Sequence, residues 1–136
     1  MTQLERRANA ALTILILLQL TMLSALYAGI EPHPPVATPL FGIAPFIGAS
    51  ISIALAAIIV TPLGTITGRV LSVVAALMAM ASFGPQKYFD AQIGMIWPAV
   101  GLGQMAALVI GASVLLSCRP IGKMGDSGWK TAAKAV

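Results

Sequence analysis

Four long apolar runs, roughly Ala8–Ile30, Leu40–Pro62, Ile66–Gly84 and Gly94–Cys118, make up most of this 136-residue chain. Each is close to the ~20 residues a helix needs to cross about 30 Å of hydrocarbon. The charged residues gather at the borders of those runs and form only 9% of the chain, against 58% hydrophobic residues and a mean hydropathy of +0.93. A soluble domain carries about a quarter charged residues, so the composition excludes a water-soluble globule and names lipid as the solvent. Within a bilayer only helices and closed barrels satisfy every backbone group internally, and runs this continuous, without strict alternation, read as helices. The expected fold is an all-α integral membrane protein. It is a single domain over residues 1–136, built as a four-transmembrane-helix bundle.

Arg6 and Arg7 ahead of the first run resemble the start of a secretory signal. Its apolar core is longer than the 7–15 residues of a signal h-region, and Leu26-Tyr27-Ala28 lacks a small residue at the −3 position. An uncleaved first helix is therefore expected. Direction follows from Lys and Arg. Arg6 and Arg7 precede span one, Arg69 is assigned to the connection between spans two and three, and Arg119, Lys123, Lys130 and Lys134 follow span four. The other side has only Lys87. The positive-inside rule then puts both termini in the cytoplasm, and the expected location is a bacterial inner membrane.

The first outer loop, Glu31 to Pro39, has four prolines in eight residues and should be a stiff, extended connector. The inner turn Thr61-Pro62-Leu63-Gly64-Thr65 is short enough to make spans two and three an antiparallel hairpin. Gly84 to Asp90 combines a helix stop with an aromatic pair. Pro45 and Pro98 fall near the outer starts of their spans, where a missing donor costs least. Seven of the eight aromatic residues, among them Tyr88, Phe89 and Trp97, lie toward the outer ends, and only Trp129 lies inside. Two readings stand: an interfacial aromatic belt, or an outer docking surface for a partner chain, a quinone or a pigment.

Lipid tails offer no hydrophobic drive between helices, so small residues that let backbones approach become a main source of association. Span two carries Ala44, Gly48, Ser52 and Ala56 at four-residue spacing, span four carries Ala99, Gly103, Ala107 and Gly111, and span three carries Gly68, Ser72 and Ala76. Span one is bulky, with Leu12, Leu15, Leu17, Leu18, Leu20 and Leu23. Spans two, three and four are therefore expected to form a tight core, with span one more peripheral.

Chemistry-bearing side chains are sparse. Gln19 and Gln104 are the in-membrane polar residues of note, and each needs a partner because an unpaired amide costs a few kcal/mol in hydrocarbon. His33 is the only histidine, so no two-histidine haem site or histidine-rich metal site can form within one chain. It lies between prolines and reads as a surface residue, with pigment ligation the sharper alternative. With Trp97, Tyr88 and Phe89 it completes the candidates for binding a cofactor. Lipid, quinone or pigment are the possible ligands, and no metal site is expected. Cys118 has no cysteine partner, and it reads as an interfacial thiol. No phosphate-binding glycine loop, nucleophile elbow or paired carboxylates occur.

The tail from Arg119 to Val136 carries four basic residues, one acid and Trp129. It is expected to lie along the anionic cytoplasmic surface, and spaced charges without a base-stacking platform argue against nucleic acid. The function expected from these features is a non-catalytic accessory subunit of a larger membrane complex, photosynthetic or respiratory, that binds lipid or a hydrophobic cofactor. Its partners would be membrane lipids and other membrane subunits or further copies of itself. The alternative is a small homo-oligomeric channel or transporter lined by Gln19, Gln104 and hydroxyls.

Overall fold

A computed structural model describes residues 1–30 and 40–118, and these are helical apart from short turns. The elements are α1 (Gln3–Ala28), α2 (Leu40–Ile59), α3 (Ile66–Phe83), a 3₁₀ helix (Pro85–Phe89) and α4 (Ile93–Cys118). All four α-helices are long and apolar enough to cross a membrane. The proline-rich segment with His33 and the basic tail lie outside the described residues.

Local chemistry explains the boundaries. α1 begins earlier than the apolar run, because Thr2 Oγ1 accepts the Glu5 backbone N–H at 3.1 Å and the Thr-x-x-Glu spacing is that of a capping box. Glu5, Arg6 and Arg7 thus occupy the first turns of α1 rather than preceding it. Gly29, at φ 66°, releases the helix, and the Ile30 N–H closes back onto Ala25 O at 3.0 Å. α2 stops at Ile59, short of the Pro62 expected from the apolar run, because Thr61 turns to φ 62° and Pro62 cannot continue the ladder. Thr65 then caps α3 by accepting the Gly68 N–H at 2.9 Å. Arg69, expected in the connection, belongs to the start of α3. Its Nε–H reaches back to Leu63 O at 2.9 Å, which ties its charge to the turn.

Helices adjacent in sequence are adjacent in space, and α4 closes the ring against α1. Among the described residues α2 and α4 do not approach, while α1 and α3 touch lightly across the diagonal. Gln19 on α1 bonds Ser50 on α2, and Glu5 lies beside Gly64 just past the end of α2, so α1 and α2 run antiparallel. Gly103 meets Phe83 and Cys118 meets Arg69, so α3 and α4 do the same. The bundle therefore has two distinct ends. A basic end collects Arg6, Arg7, the Thr61–Thr65 turn and Cys118. An aromatic end collects Tyr27, Phe41, the 3₁₀ helix and Trp97.

Burial corrects two expectations. The core consists of Ala11, Leu12, Leu15, Ala54, Ala57, Ala75, Ala76, Ala79, Ala106 and Ile110, so α1 is a full wall of the bundle rather than a peripheral helix. α2 and α3 line the interior with alanines. Such small surfaces cannot fill the space between four helices, so Leu12 and Leu15 supply the volume needed for close packing. On α2 the buried face is Ile47, Ser50, Ala54 and Ala57, not Ala44, Gly48, Ser52 and Ala56. Residues two apart on a helix point about 200° apart, so Ser52 is turned out and exposed, while Ala44, Gly48 and Ala56 are half-buried at the edge of the face and nothing lies near a Cβ built on Gly48. The outside is apolar on every helix, with Leu17, Leu55, Leu77 and Leu108 all exposed.

Candidate functional site

The aromatic end holds a cleft of about 230 Å³ between α1, α4 and the end of α3. Leu18, Met22 and Ala25 form its α1 wall, Met95, Ile96, Ala99 and Val100 its α4 wall, and Phe83 belongs to its lining. The wall residues of α1 recur at three- and four-residue spacing, which keeps them on one helix face. Thr21, Ser82, Lys87, Asp90 and Gln92 add polarity. Lys87 Nζ and Asp90 Oδ2 stand 3.6 Å apart at the ends of a three-residue step, partly exposed, and therefore mark the mouth. The 3₁₀ turn produces this placement, since the Asp90 N–H bonds Lys87 O at 3.1 Å and brings the two side chains to the same side. Asp90 Oδ1 also accepts the Gln92 N–H at 3.1 Å.

The walls depend on how α3 ends. The last carbonyls of a helix have no intrahelical donors, and here side chains serve them. Gln86 Nε2 donates to Met80 O at 3.1 Å and Ala81 O at 2.9 Å. Gln104 Nε2 donates from α4 to Phe83 O at 3.1 Å, and Gln104 Oε1 accepts the Tyr88 hydroxyl at 3.1 Å. Gln104 is thus a cap for α3 and a clasp for the 3₁₀ helix. Gly103, beside it, is buried against Phe83: a Cβ there would stand 2.9 Å from Phe83 Cβ. Only glycine lets α3 and α4 approach this closely.

Gln19, mid-way along α1, is 1% exposed, and its Nε2 donates to Ser50 Oγ at 2.7 Å. Gln19 Oε1 is buried and accepts from none of the described residues. Ser72 is also buried and donates to Gly68 O at 2.8 Å, with Pro62 O further off at 3.4 Å. The Gln19–Ser50 bond joins α1 to α2, while Ser72 bonds within α3 and toward the turn before it.

A second, more open hollow of about 410 Å³ runs along the outside of α3 and α4. Ala76, Ala107 and Gly111 are its small residues, Val73, Leu77, Met80 and Leu108 its larger ones, and Gln104 sits at one end. Ala107 and Gly111 are half-buried, and a Cβ on Gly111 would meet nothing. The small stripe of α4 therefore splits: Gly103 serves contact within the chain, while Ala107 and Gly111 leave a hollow. Ala56 of α2 is also half-buried.

Of the residues expected to bind a cofactor, Tyr88, Phe89 and Trp97 are exposed, and none lines the cleft. The charged lining comes instead from Lys87 and Asp90, with Gln92 beside them, all in the connection between α3 and α4. Their three- and five-residue separations, next to a proline that can start a helical turn, were the available signal. Among the described residues no three His, Cys, Asp or Glu side chains gather as metal ligands. Cys118 is exposed, with Arg69 Nη1 at 3.7 Å from its sulfur. Comparison with protein-family models, curated proteins and solved structures finds no match.

Proposed function

We propose that this chain is an integral protein of a bacterial inner membrane, with both termini on the cytoplasmic side, acting as a non-catalytic subunit of a larger membrane assembly. The membrane reading draws on the apolar exterior: large hydrophobic side chains stand exposed on all four helices, far beyond what a water-facing surface tolerates. Orientation draws on the Lys and Arg bias between the two ends.

The observation that carries the subunit reading is the division of labour among side chains. Gln19, Ser50, Ser72 and Gln104 are engaged within the chain, while the α3–α4 hollow, floored by Ala76, Ala107 and Gly111, faces outward. Small residues facing lipid leave room for another helix to approach. A channel made of several copies would need Gln19 and Gln104 between copies, and both instead bond within their own bundle.

Native mass spectrometry of the tagged chain, isolated from its own membrane in mild detergent, tests this. Larger, different subunits should accompany it. A clean small homo-oligomer would overturn the subunit reading in favour of the channel, and a bare monomer would overturn both. Orientation is tested by labelling Val36→Cys in intact cells. Reaction from outside is expected, and labelling only after the membrane is opened would reverse the topology.

A further inference from the structure

We propose that the cleft between α1 and α4 holds one acyl chain of a zwitterionic phospholipid, with the lipid phosphate at Lys87 and its primary ammonium at Asp90. This rests on the membrane placement above but not on which subunits surround the chain.

Three observations select this occupant. First, size: the cleft holds about 230 Å³, less than the roughly 300–1,000 Å³ of pockets for drug-sized ligands, so it seats a stretch of one flexible chain that continues into the surrounding lipid and leaves no room for a pigment macrocycle. Second, the walls: Leu18, Met22, Met95 and Ile96 are flexible apolar side chains, and methionine in particular conforms to irregular, featureless shapes. Third, the mouth: it presents one cation and one anion close together, so the complementary head carries both signs.

The Lys87–Asp90 pair has capacity to spare. Its 3.6 Å separation exceeds the about 2.7–2.9 Å of a charge-assisted hydrogen bond, and an ammonium has three donors. Asp90 Oδ1 is engaged by the Gln92 N–H, leaving Oδ2 for a second cation. An anionic head would satisfy Lys87 but face Asp90 with like charge. A quinone would take a hydrogen bond from Lys87 and set its carbonyl lone pairs against the Asp90 carboxylate. A quaternary ammonium has no N–H to donate. Phosphatidylethanolamine matches both partners, with an acceptor for Lys87 and three donors for Asp90.

The test reconstitutes the full chain in vesicles of equal parts phosphatidylethanolamine and phosphatidylglycerol, then extracts it in mild detergent and weighs the lipid retained. About one phosphatidylethanolamine per chain is expected, preferred over phosphatidylglycerol by about fivefold, the factor one charge contact supplies near a membrane surface. Asp90→Asn should remove the preference or reverse it, since Lys87 then faces an anionic head unopposed. The exchange of both charges, Lys87→Asp with Asp90→Lys, should restore it. Ala99→Phe, which fills the cleft, should retain no lipid. Charge changes at the partly exposed mouth leave the core intact, so the Asp90 variants remain decisive even if Ala99→Phe fails to fold. Wild-type chain that retains the two lipids in their bulk ratio, or none, overturns the proposal, as does a preference unmoved by Asp90→Asn. Carbonate extraction of the same vesicles separates the two failures: a chain released by carbonate overturns the membrane placement itself.

Discussion

At the basic end α2 turns into α3 across Thr61–Thr65, and backbone and side chains there are bonded one to another: Thr65 caps α3, Arg69 holds Leu63 O, and Gly68 packs against the Thr61 carbonyl. At the aromatic end α3 passes into α4 through a 3₁₀ turn whose helix-terminal carbonyls are served by Gln86 and Gln104, and the walls beyond Phe83 part to form a cleft. Toward the basic half Leu12 and Leu15 belong to the same buried core as Ala54 and Ala57. In the aromatic half α1, α4 and the end of α3 leave a cleft, and Lys87 and Asp90 of the α3–α4 connection belong to its lining. The contrast teaches that one bundle can join a half packed by large side chains against alanines to a half where the residues of a connection border an open site.

The largest effect should come from emptying the packed half. Leu12→Ala is expected to cost about 2–5 kcal/mol, because a buried leucine leaves a cavity that alanine neighbours cannot fill. Leu18→Ala only enlarges an existing cleft and should cost less than about 1 kcal/mol. Thermal unfolding in detergent, followed by tryptophan fluorescence, measures both. Equal losses would erase the distinction between the halves.

Glycine substitutions sharpen the same contrast by overfilling. A Cβ at Gly68 would overlap the Thr61 carbonyl, and one at Gly103 would press on Phe83 Cβ. Gly68→Ala and Gly103→Ala should each cost about 1–3 kcal/mol, Gly68 the more, because backbone yields less than a side chain. Gly48→Ala should stay within about 0.5 kcal/mol, since open space surrounds it. If Gly48→Ala proved as costly as Gly103→Ala, α2 would have to be packing through its other face.

Between the two halves lies the Gln19–Ser50 bond. Ser50→Ala should cost about 1–3 kcal/mol, since it strands an amide whose Oε1 is already unpartnered among the described residues. Gln19→Leu should cost less, because the Ser50 hydroxyl can turn back to a carbonyl of its own helix. The double variant should come close to wild type. A double-mutant cycle showing full additivity would mean the two side chains are not coupled. A smaller loss than at the Gln19–Ser50 bond is expected at the aromatic end, where Gln104→Leu removes a cap and a clasp together for about 1 kcal/mol. The cleft should also lose definition, read as weaker lipid retention. No change in either quantity would show that α3 ends without help from α4.

The number of helices, their approximate extents and the hairpin between α2 and α3 were legible in the sequence, because apolar run length and Pro/Gly punctuation are local properties. Gly103 was legible too, as a small residue amid larger ones. The buried face of α2 was not. Its Ala44-Gly48-Ser52-Ala56 stripe and its Ile47-Ser50-Ala54-Ala57 stripe both offer small residues at helical spacing, and nothing local says which phase turns inward. The place of α1 is not legible for a related reason: a leucine-rich helix suits lipid exposure as well as a core whose alanine-lined neighbours need large side chains opposite them. Lys87 and Asp90 looked like loop charges until a 3₁₀ turn set them side by side.

The sequence by itself determined that this chain is a set of four apolar helices with charge concentrated toward one side, because each of those properties is written within a stretch of about 20 residues. Only the tertiary structure decided which faces meet, that Leu12 and Leu15 of α1 enter the core, that Gln104 finishes α3, and that a cleft with a charged mouth opens beside it. Those outcomes depend on the complementary volumes and unspent hydrogen-bonding groups of residues far apart in the chain, such as Leu12 with Ala54, Gln19 with Ser50 and Gly103 with Phe83.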